Sequence, residues 1–340
     1  MMNTLLALLF ILVGGAVNGS FALPTKYIKH WYFENIWSNY IVWAFLILPW
    51  AVMFIIEPHA GIVYRHLPVS ALLILIIGGI AFGIGQACFA QALKIIGFGL
   101  GFVINIGLGT GLGFLLPLVI LHPEKIPTLF GLTTLIGIIF IIAGLIVSYL
   151  AGRRRDQHTK QFKPTIPPAP YQVGVWLAVV AGFCSALQNF AFASTHNVQV
   201  LALNHRLNHL ACAMIIWPVF LSFSFVPYVI YMLFLLRKNR TFKNFFSYSS
   251  GMNFLLTSIM ALCWYCSLIL YSQASLMIGN LGPVVGWPLF MVLIILVANF
   301  WGWRHHEWAH VTTSIARQAL LAIGLLILAV IVLAYSATLS

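Results

Sequence analysis

The sequence predicts an all-α integral membrane protein with ten transmembrane helices arranged in two inverted five-helix repeats. Hydrophobic residues make up 62% of the 340 residues, whereas only 17 are Lys or Arg and five are Asp or Glu. A soluble domain carries about 25% charged residues, so we expect lipid to cover most of this surface. Long stretches, such as residues 35–56 and 244–303, contain no charge and are long enough for one or two membrane crossings.

The apolar runs predict helices rather than a barrel, because they are continuous and lack the period-two alternation of membrane strands. The first run has no basic residue before it and is followed by further runs, so we interpret it as an uncleaved helix and not a signal peptide. The predicted spans cover residues 4–23, 37–56, 69–93, 98–121, 128–150, 171–194, 207–235, 252–271, 281–301 and 311–335.

A basic segment with four prolines, residues 152–170, follows the fifth span and divides the chain near its midpoint. It predicts a first repeat at residues 1–151, a linker, and a second repeat at residues 171–340. Because five is odd, the two repeats would enter the membrane in opposite directions. Many secondary transporters have this plan, with the substrate bound near the middle of the membrane between the repeats.

The basic residues predict the orientation of the chain. Of the 17 Lys and Arg residues, all but three lie on the side that is reached after the odd-numbered spans; the three are Arg65, Lys125 and Arg206. Positive residues stay cytoplasmic, so we expect both termini outside the cytoplasm. This bias also accounts for most of the net charge of +12, and no nucleic-acid partner is expected.

Polar and aromatic residues inside the spans are the candidate substrate contacts. Polar groups are costly in lipid, so they tend to line a cavity or to bond across helices. Amide groups suit the hydroxyls of a polyol, and an aromatic face suits the apolar surface of a sugar ring. The alternative for each residue is a structural bond between neighbouring helices. The candidates are Asn18, Gln86, Gln188, Asn189, Trp264 and Tyr265.

None of the five acids is predicted mid-membrane, where a proton carrier often places a carboxylate. Candidates for coupling or gating are therefore Glu34, at the start of the second span, and His196 and His209, which could relay protons. No nucleophile with a base occurs, so an enzyme is not expected. Residues 304–307, RHHE, are adjacent in sequence and make a poor metal site, so no metal and no cofactor are expected.

Residues 29–38, KHWYFENIWS, and residues 48–51, LPWA, resemble the bacterial L-rhamnose–proton symporter family of the drug/metabolite transporter superfamily. Trp264-Tyr265 and Glu307-Trp308 extend the resemblance along most of the chain. The resemblance implies ten helices in two inverted repeats and transport of a small solute, with sugar as the leading class. It places Glu34 where it could pair with Lys26 or Lys29 or cap a helix N-terminus. Residues 279–288 depart from the family pattern because they contain no acid.

The leading interpretation is a secondary transporter of a small polar metabolite, foremost a sugar of the rhamnose type, that works by alternating access in a lipid bilayer. Proton coupling stays open at this point. One alternative is a drug/metabolite exporter of amphipathic compounds or amino acids. A second alternative is a membrane subunit that transports nothing.

Overall fold

The computed structural model describes residues 2–158, 171–305 and 311–339. Within these ranges every regular element is helical. Part of the predicted linker, residues 159–170, and the predicted features at His306 and Glu307 lie outside the described residues. The α-helices are α1 (Met2–Ser20), α2 (Phe33–Ile41), α3 (Leu48–Ile56), α4 (Gly61–Arg65), α5 (Val69–Leu121), α6 (Leu129–His158), α7 (Tyr171–Ser194), α8 (His196–Asn204), α9 (His209–Met214), α10 (Trp217–Asn239), α11 (Ser250–Ile278), α12 (Gly282–Arg304) and α13 (Thr313–Ala337).

Ten helical segments of the described chain are long and apolar enough to cross a bilayer, which confirms the predicted all-α membrane fold and its number of spans. Span 2 joins α2 and α3 through the π-helical segment Val42–Ile47. Spans 1 to 10 are Thr4–Tyr27, Phe33–Ile56, Val69–Leu93, Val103–Leu121, Leu129–Arg155, Tyr171–Asn204, His209–Asn239, Ser250–Ile278, Gly282–Arg304 and Thr313–Ala337.

Spans 3 and 4 belong to α5, whose 53 residues are helical throughout. A Cβ atom on Gly101 would stand 2.8 Å from Leu93 Cδ2 and 3.8 Å from Leu93 Cα. In a straight helix, residues eight positions apart would be about 12 Å apart along the axis. The chain therefore reverses between Leu93 and Gly101, and the absence of a side chain at Gly101 lets the two arms meet.

Small residues bring the first helix of each chain half close to its neighbours. In span 1, a Cβ on Gly15 would lie 2.5 Å from Leu293 Cβ of span 9. In span 6, a Cβ on Gly182 would lie 2.8 Å from Leu108 Cβ of span 4. Span 1 also packs on span 8, span 6 also packs on span 3, and spans 5 and 10 pack on each other. Glycine permits these approaches because larger side chains would separate the backbones.

Aromatic side chains fill the middle of the bundle. Successive ring centroids in this aromatic column are 5.3–6.3 Å apart, within the usual range for favourable ring pairs. These contacts pack rings from both halves of the chain against each other. Its members are, in order of contact, Tyr40, Trp264, Phe45, Phe82, Phe220, Trp217, Phe192, Tyr271 and Trp287.

Candidate functional site

One face of the bundle carries the loops between spans 1 and 2 and between spans 7 and 8, and we call it the basic face after residues such as Lys29, Arg237 and Lys243. Glu34 lies there in the first turn of α2, where the helix N-terminus favours a carboxylate. Its Oε1 accepts hydrogen bonds from Asn239 Nδ2 at 2.9 Å and Thr241 Oγ1 at 2.7 Å. Glu34 is only 3% exposed and the bond to Thr241 is buried, whereas Asn239 lies at the surface. The two bonds join the start of span 2 to the end of span 7 and the loop that follows it.

Further bonds join the loop after span 1 and the start of span 2 to the loop after span 7 and the start of span 8. Asn35 Nδ2 donates to Thr241 O at 3.0 Å, and Trp31 Nε1 donates to Asn244 O at 2.9 Å. Asn253 Nδ2 donates to Lys29 O at 2.7 Å. We call this set, together with Glu34, the basic-face latch. In the described conformation it connects the two halves of the chain on the basic face.

The opposite face has a smaller contact of the same kind between the loop after span 2 and the loop after span 6. Glu57 Oε2 accepts from both the backbone N and the Nδ2 of Asn208, each at 3.1 Å. Asn208 also caps α9, because its Oδ1 accepts from Ala211 N at 2.8 Å. The bonds between Glu57 and Asn208 lie at the solvent-exposed surface, and we call this pair the opposite-face latch.

A cavity of about 200 Å³ opens on the opposite face between the ends of spans 4, 6 and 8 and the start of span 9. We call it the opposite-face chamber. Its described lining carries no Asp, Glu, Lys or Arg. The lining residues are Leu121, His122, Phe192, Ala193, Ser194, His196, Gln199, Ser275, Gly279, Asn280 and Pro283.

Gln199 is the most informative residue of this chamber. It is 3% exposed, and its Nε2 has no hydrogen-bond partner among the described residues. Its Oε1 lies 3.0 Å from His196 Nδ1. Ser194 Oγ is also buried without a partner in the described chain. A buried amide N–H without a partner costs about 1–3 kcal/mol, which is typical of a position that a ligand or water completes.

A second cavity of about 290 Å³ adjoins the chamber, since both are lined by His122 and Asn280. Its rim carries Glu124 and Lys125, and His122 Nδ1 lies 3.6 Å from Glu124 Oε1. A charged outer rim thus leads to a chamber without formal charge in its described lining.

Asn189, a predicted substrate contact, lies fully buried below the chamber. Its Nδ2 donates to Gly113 O of span 4 and to Pro283 O of span 9, both at 2.9 Å. Its Oδ1 accepts from the hydroxyl of Tyr271 in span 8. In the described conformation Asn189 therefore joins four spans and leaves no amide group free.

A model of the L-rhamnose-proton symport protein family matches residues 1–338. The chain belongs to this family. The L-rhamnose-proton symporter of Yersinia pestis (strain Pestoides F) is 25% identical over 335 residues, which is 95% of this chain and 95% of the relative. That of Klebsiella pneumoniae subsp. pneumoniae is 26% identical over 311 residues, or 87% and 88% of the two chains. As a member of this symport family, the protein is a multi-pass membrane transporter and not an enzyme, which confirms both predictions.

Two of the predicted contacts of this symport-family chain are linked through one serine. Asn18 Nδ2 of span 1 donates to Ser267 Oγ at 2.7 Å, and Ser267 Oγ donates to Trp264 O at 2.6 Å. Trp264 is half-buried in the aromatic column, and the neighbouring Tyr265 is fully buried. The buried Tyr265 hydroxyl has no partner within the described ranges, so this predicted contact offers an unused polar group.

The other predicted residues are spread across the molecule. Gln86 of span 3 is half-buried, and Gln188 is buried beside Asn189 in span 6. His196 lines the opposite-face chamber, whereas His209, the first residue of α9, is exposed. The predicted set therefore does not form one cluster: it divides between the centre of the bundle and the opposite face.

Sequence reasoning missed Gln199, Ser194 and Asn280, which together with His196 give the chamber its polar character. The predicted contacts were polar residues near the middle of the spans, whereas these three lie at span ends. The spacing of His196 and Gln199, three residues apart, was the available signal, because side chains three positions apart share one face of a helix.

Proposed function

We propose that the protein carries L-rhamnose, or a closely related sugar, together with a proton across the bacterial inner membrane by alternating access. The observation that carries this proposal is the match of the L-rhamnose-proton symport protein model to nearly the whole chain. Relatives named L-rhamnose-proton symporters also align with this chain over 95% and 88% of their own lengths.

The central polar and aromatic residues supply chemistry that suits a sugar. Amides donate to and accept from hydroxyls, and indole and phenol rings pack on the C–H face of a pyranose. Tyr265 brings a buried hydroxyl without a described partner. We assign substrate contact to the predicted set, which becomes accessible when the aromatic column opens: Asn18, Gln86, Gln188, Asn189, Trp264 and Tyr265.

The packing of the spans supports two inverted repeats and membership of the drug/metabolite transporter superfamily. In two five-helix repeats, spans 1 to 5 correspond to spans 6 to 10. The contact between spans 1 and 8 then corresponds to a contact between spans 6 and 3. Likewise, the contact between spans 1 and 9 corresponds to a contact between spans 6 and 4. Both sets of pairs are in contact, as are spans 5 and 10. An inverted repeat relates two conformations by exchanging the roles of its halves, which is the basis of alternating access.

We assign the basic face to the cytoplasm and both termini to the outside, because Lys and Arg are enriched at cytoplasmic loops. The described conformation is then closed inside and hollow outside. For the gate we choose Glu34, since it is the most buried of the three acids whose side chains the structure describes, the others being Glu57 and Glu124. His196 and His209 lie on the outer side in this arrangement.

Uptake of radiolabelled sugars into proteoliposomes tests the proposed function. We expect L-rhamnose to accumulate in the lumen when the outer solution is more acidic. In vesicles treated with an uncoupler, the L-rhamnose concentration inside should only reach the concentration outside. Gln188→Ala should lower uptake, whereas the matched change at an exposed glutamine of the same span, Gln172→Ala, should not. Absence of uptake for L-rhamnose and for a panel of other neutral hexoses and deoxyhexoses would exclude a sugar carrier.

Labelling with a membrane-impermeant maleimide tests the orientation in intact cells. Asn280→Cys, at the mouth of the chamber, should react from outside, while Lys243→Cys, exposed on the basic face, should react only after permeabilisation. The reverse pattern would invert the proposed topology.

A further inference from the structure

We propose that the opposite-face chamber is a binding site of its own, at which neighbouring hydroxyls of a neutral sugar are held before the sugar reaches the central residues. This inference rests on the proposed function and extends it to a site that sequence reasoning did not assign. The first observation is the buried, unpartnered Nε2 of Gln199 in the chamber wall.

The contact between Gln199 and His196 fixes what the chamber offers. An amide oxygen only accepts, so the His196 Nδ1 at 3.0 Å from Gln199 Oε1 must carry a hydrogen. Neutral His196 then has an accepting Nε2, while Gln199 Nε2 is a free donor. Turning the amide over exchanges the two roles and again leaves one donor and one acceptor. Each sugar hydroxyl both donates and accepts, so neighbouring hydroxyls match such a pair.

Ser194 adds a third group of the kind that a polyol uses. Its Oγ can donate and accept, and it is buried without a partner in the part of the chain that is described. Asn280 adds an amide at the mouth. Since the described lining contains no Asp, Glu, Lys or Arg, an organic ion would lose its hydration without gaining a counter-charge. A neutral ligand is therefore favoured.

The apolar part of the lining suits the C–H face of a sugar ring. Phe192 and Pro283 form apolar surface beside the polar groups. The volume of about 200 Å³ lies below the roughly 300–1,000 Å³ of pockets for drug-sized ligands. A monosaccharide therefore suits the chamber itself, whereas a bulky amphipathic compound would also have to occupy the adjoining cavity of about 290 Å³.

The chamber lies beside the aromatic column, and the two share the residue Phe192. Phe192 belongs to the lining and also to the aromatic column, with its ring centroid 5.4 Å from Trp217 and 5.6 Å from Tyr271. Tyr271 in turn bonds to Asn189. A sugar in the chamber would rest on the ring that closes the way to the centre, so the two sites lie in series.

The test uses full-length protein and the sugar that the wild-type protein carries fastest among L-rhamnose and other neutral hexoses and deoxyhexoses. Gln199→Leu keeps the size of the side chain and removes its polar atoms, and Ser194→Ala is a milder second variant. We expect each to raise the KM for uptake from the outside about 3- to 10-fold, the effect of one or two lost hydrogen bonds. Asn197→Ala, an exposed residue of the same helix outside the chamber, is the matched control.

Protection from labelling gives a second measurement that does not depend on transport. Asn280→Cys is labelled with an impermeant maleimide, and we expect the sugar to slow this labelling, but not when Gln199→Leu is also present. Unchanged KM in both variants, or protection that survives Gln199→Leu, would overturn the chamber site and leave the proposed function standing. Gln199-dependent protection without uptake would support the chamber and overturn the transport proposal. Neither uptake nor protection by any sugar of the panel would overturn both.

Discussion

The two faces of the molecule each join the first half of the chain to the second through a glutamate and an asparagine, yet the two contacts differ in their surroundings. On the basic face, Glu34 is 3% exposed and bonds to Asn239 and Thr241 among several further loop-to-loop bonds. On the opposite face, Glu57 bonds to the exposed Asn208. The same pair of residue types thus forms a seal at one face and only a surface contact at the other.

Burial explains this difference. A hydrogen bond to a carboxylate contributes about 1.5–3 kcal/mol where water is excluded, because no solvent competes for the acceptor. A contact at the surface exchanges with water, and exposed charged contacts contribute about 0–1 kcal/mol. The basic-face latch is therefore expected to stabilise the described conformation more than the opposite-face latch does.

The largest effect is expected for Glu34→Ala, which should lower the free energy of unfolding by about 2–3 kcal/mol because Asn239 and Thr241 lose a buried charged acceptor. Reversible unfolding in mixed detergent micelles measures this loss. Glu34→Gln, which keeps one oxygen acceptor, should lose less. A Glu34→Ala variant as stable as wild type would show that the latch does not hold the basic face.

A smaller loss, about 1–2 kcal/mol, is expected for Asn208→Ala, since this change removes both the contact to Glu57 and the cap on Ala211 N. The same unfolding assay measures it. Asn208→Asp separates the two roles, because an aspartate still caps α9 but repels Glu57. If Asn208→Asp is as stable as wild type, the contact to Glu57 contributes nothing.

The smallest loss, below about 1 kcal/mol, is expected for Glu57→Ala, because its bonds to Asn208 lie at the solvent-exposed surface. A loss equal to that of Glu34→Ala in the same assay would contradict the argument that burial separates the two latches.

Much of the fold could be predicted because lipid imposes it. With so few charges, the gaps between them mark the crossings, and the predicted boundaries of spans 3, 9 and 10 lie within about three residues of the observed ones. The sequence predicted two separate spans on either side of the reversal between Leu93 and Gly101. It did not predict that the helix continues through the reversal. That outcome depends on how closely the two arms pack, which local hydropathy does not encode.

The candidate site was harder to predict because direction, and not depth alone, decides what a polar side chain contacts. Asn189 was chosen for its depth, and its amide bonds to backbone of spans 4 and 9. Gln199 lies at the end of span 6 and has the unpartnered donor. The packing of spans 4, 6, 8 and 9 decides which of these two residues lines a cavity. These spans are far apart in the sequence, so local patterns do not reveal how they pack.

The bonds of Asn189 also bear on how the protein is made. When span 6 enters the membrane, span 4 is already present and can supply Gly113 O, but Pro283 O and the Tyr271 hydroxyl belong to spans that are synthesised later. Until those spans arrive, an amide oxygen and one N–H face hydrocarbon without a partner. A ribosome paused before span 8 would therefore hold an incompletely bonded intermediate, and insertion of the last three helices would complete the assembly of the earlier seven.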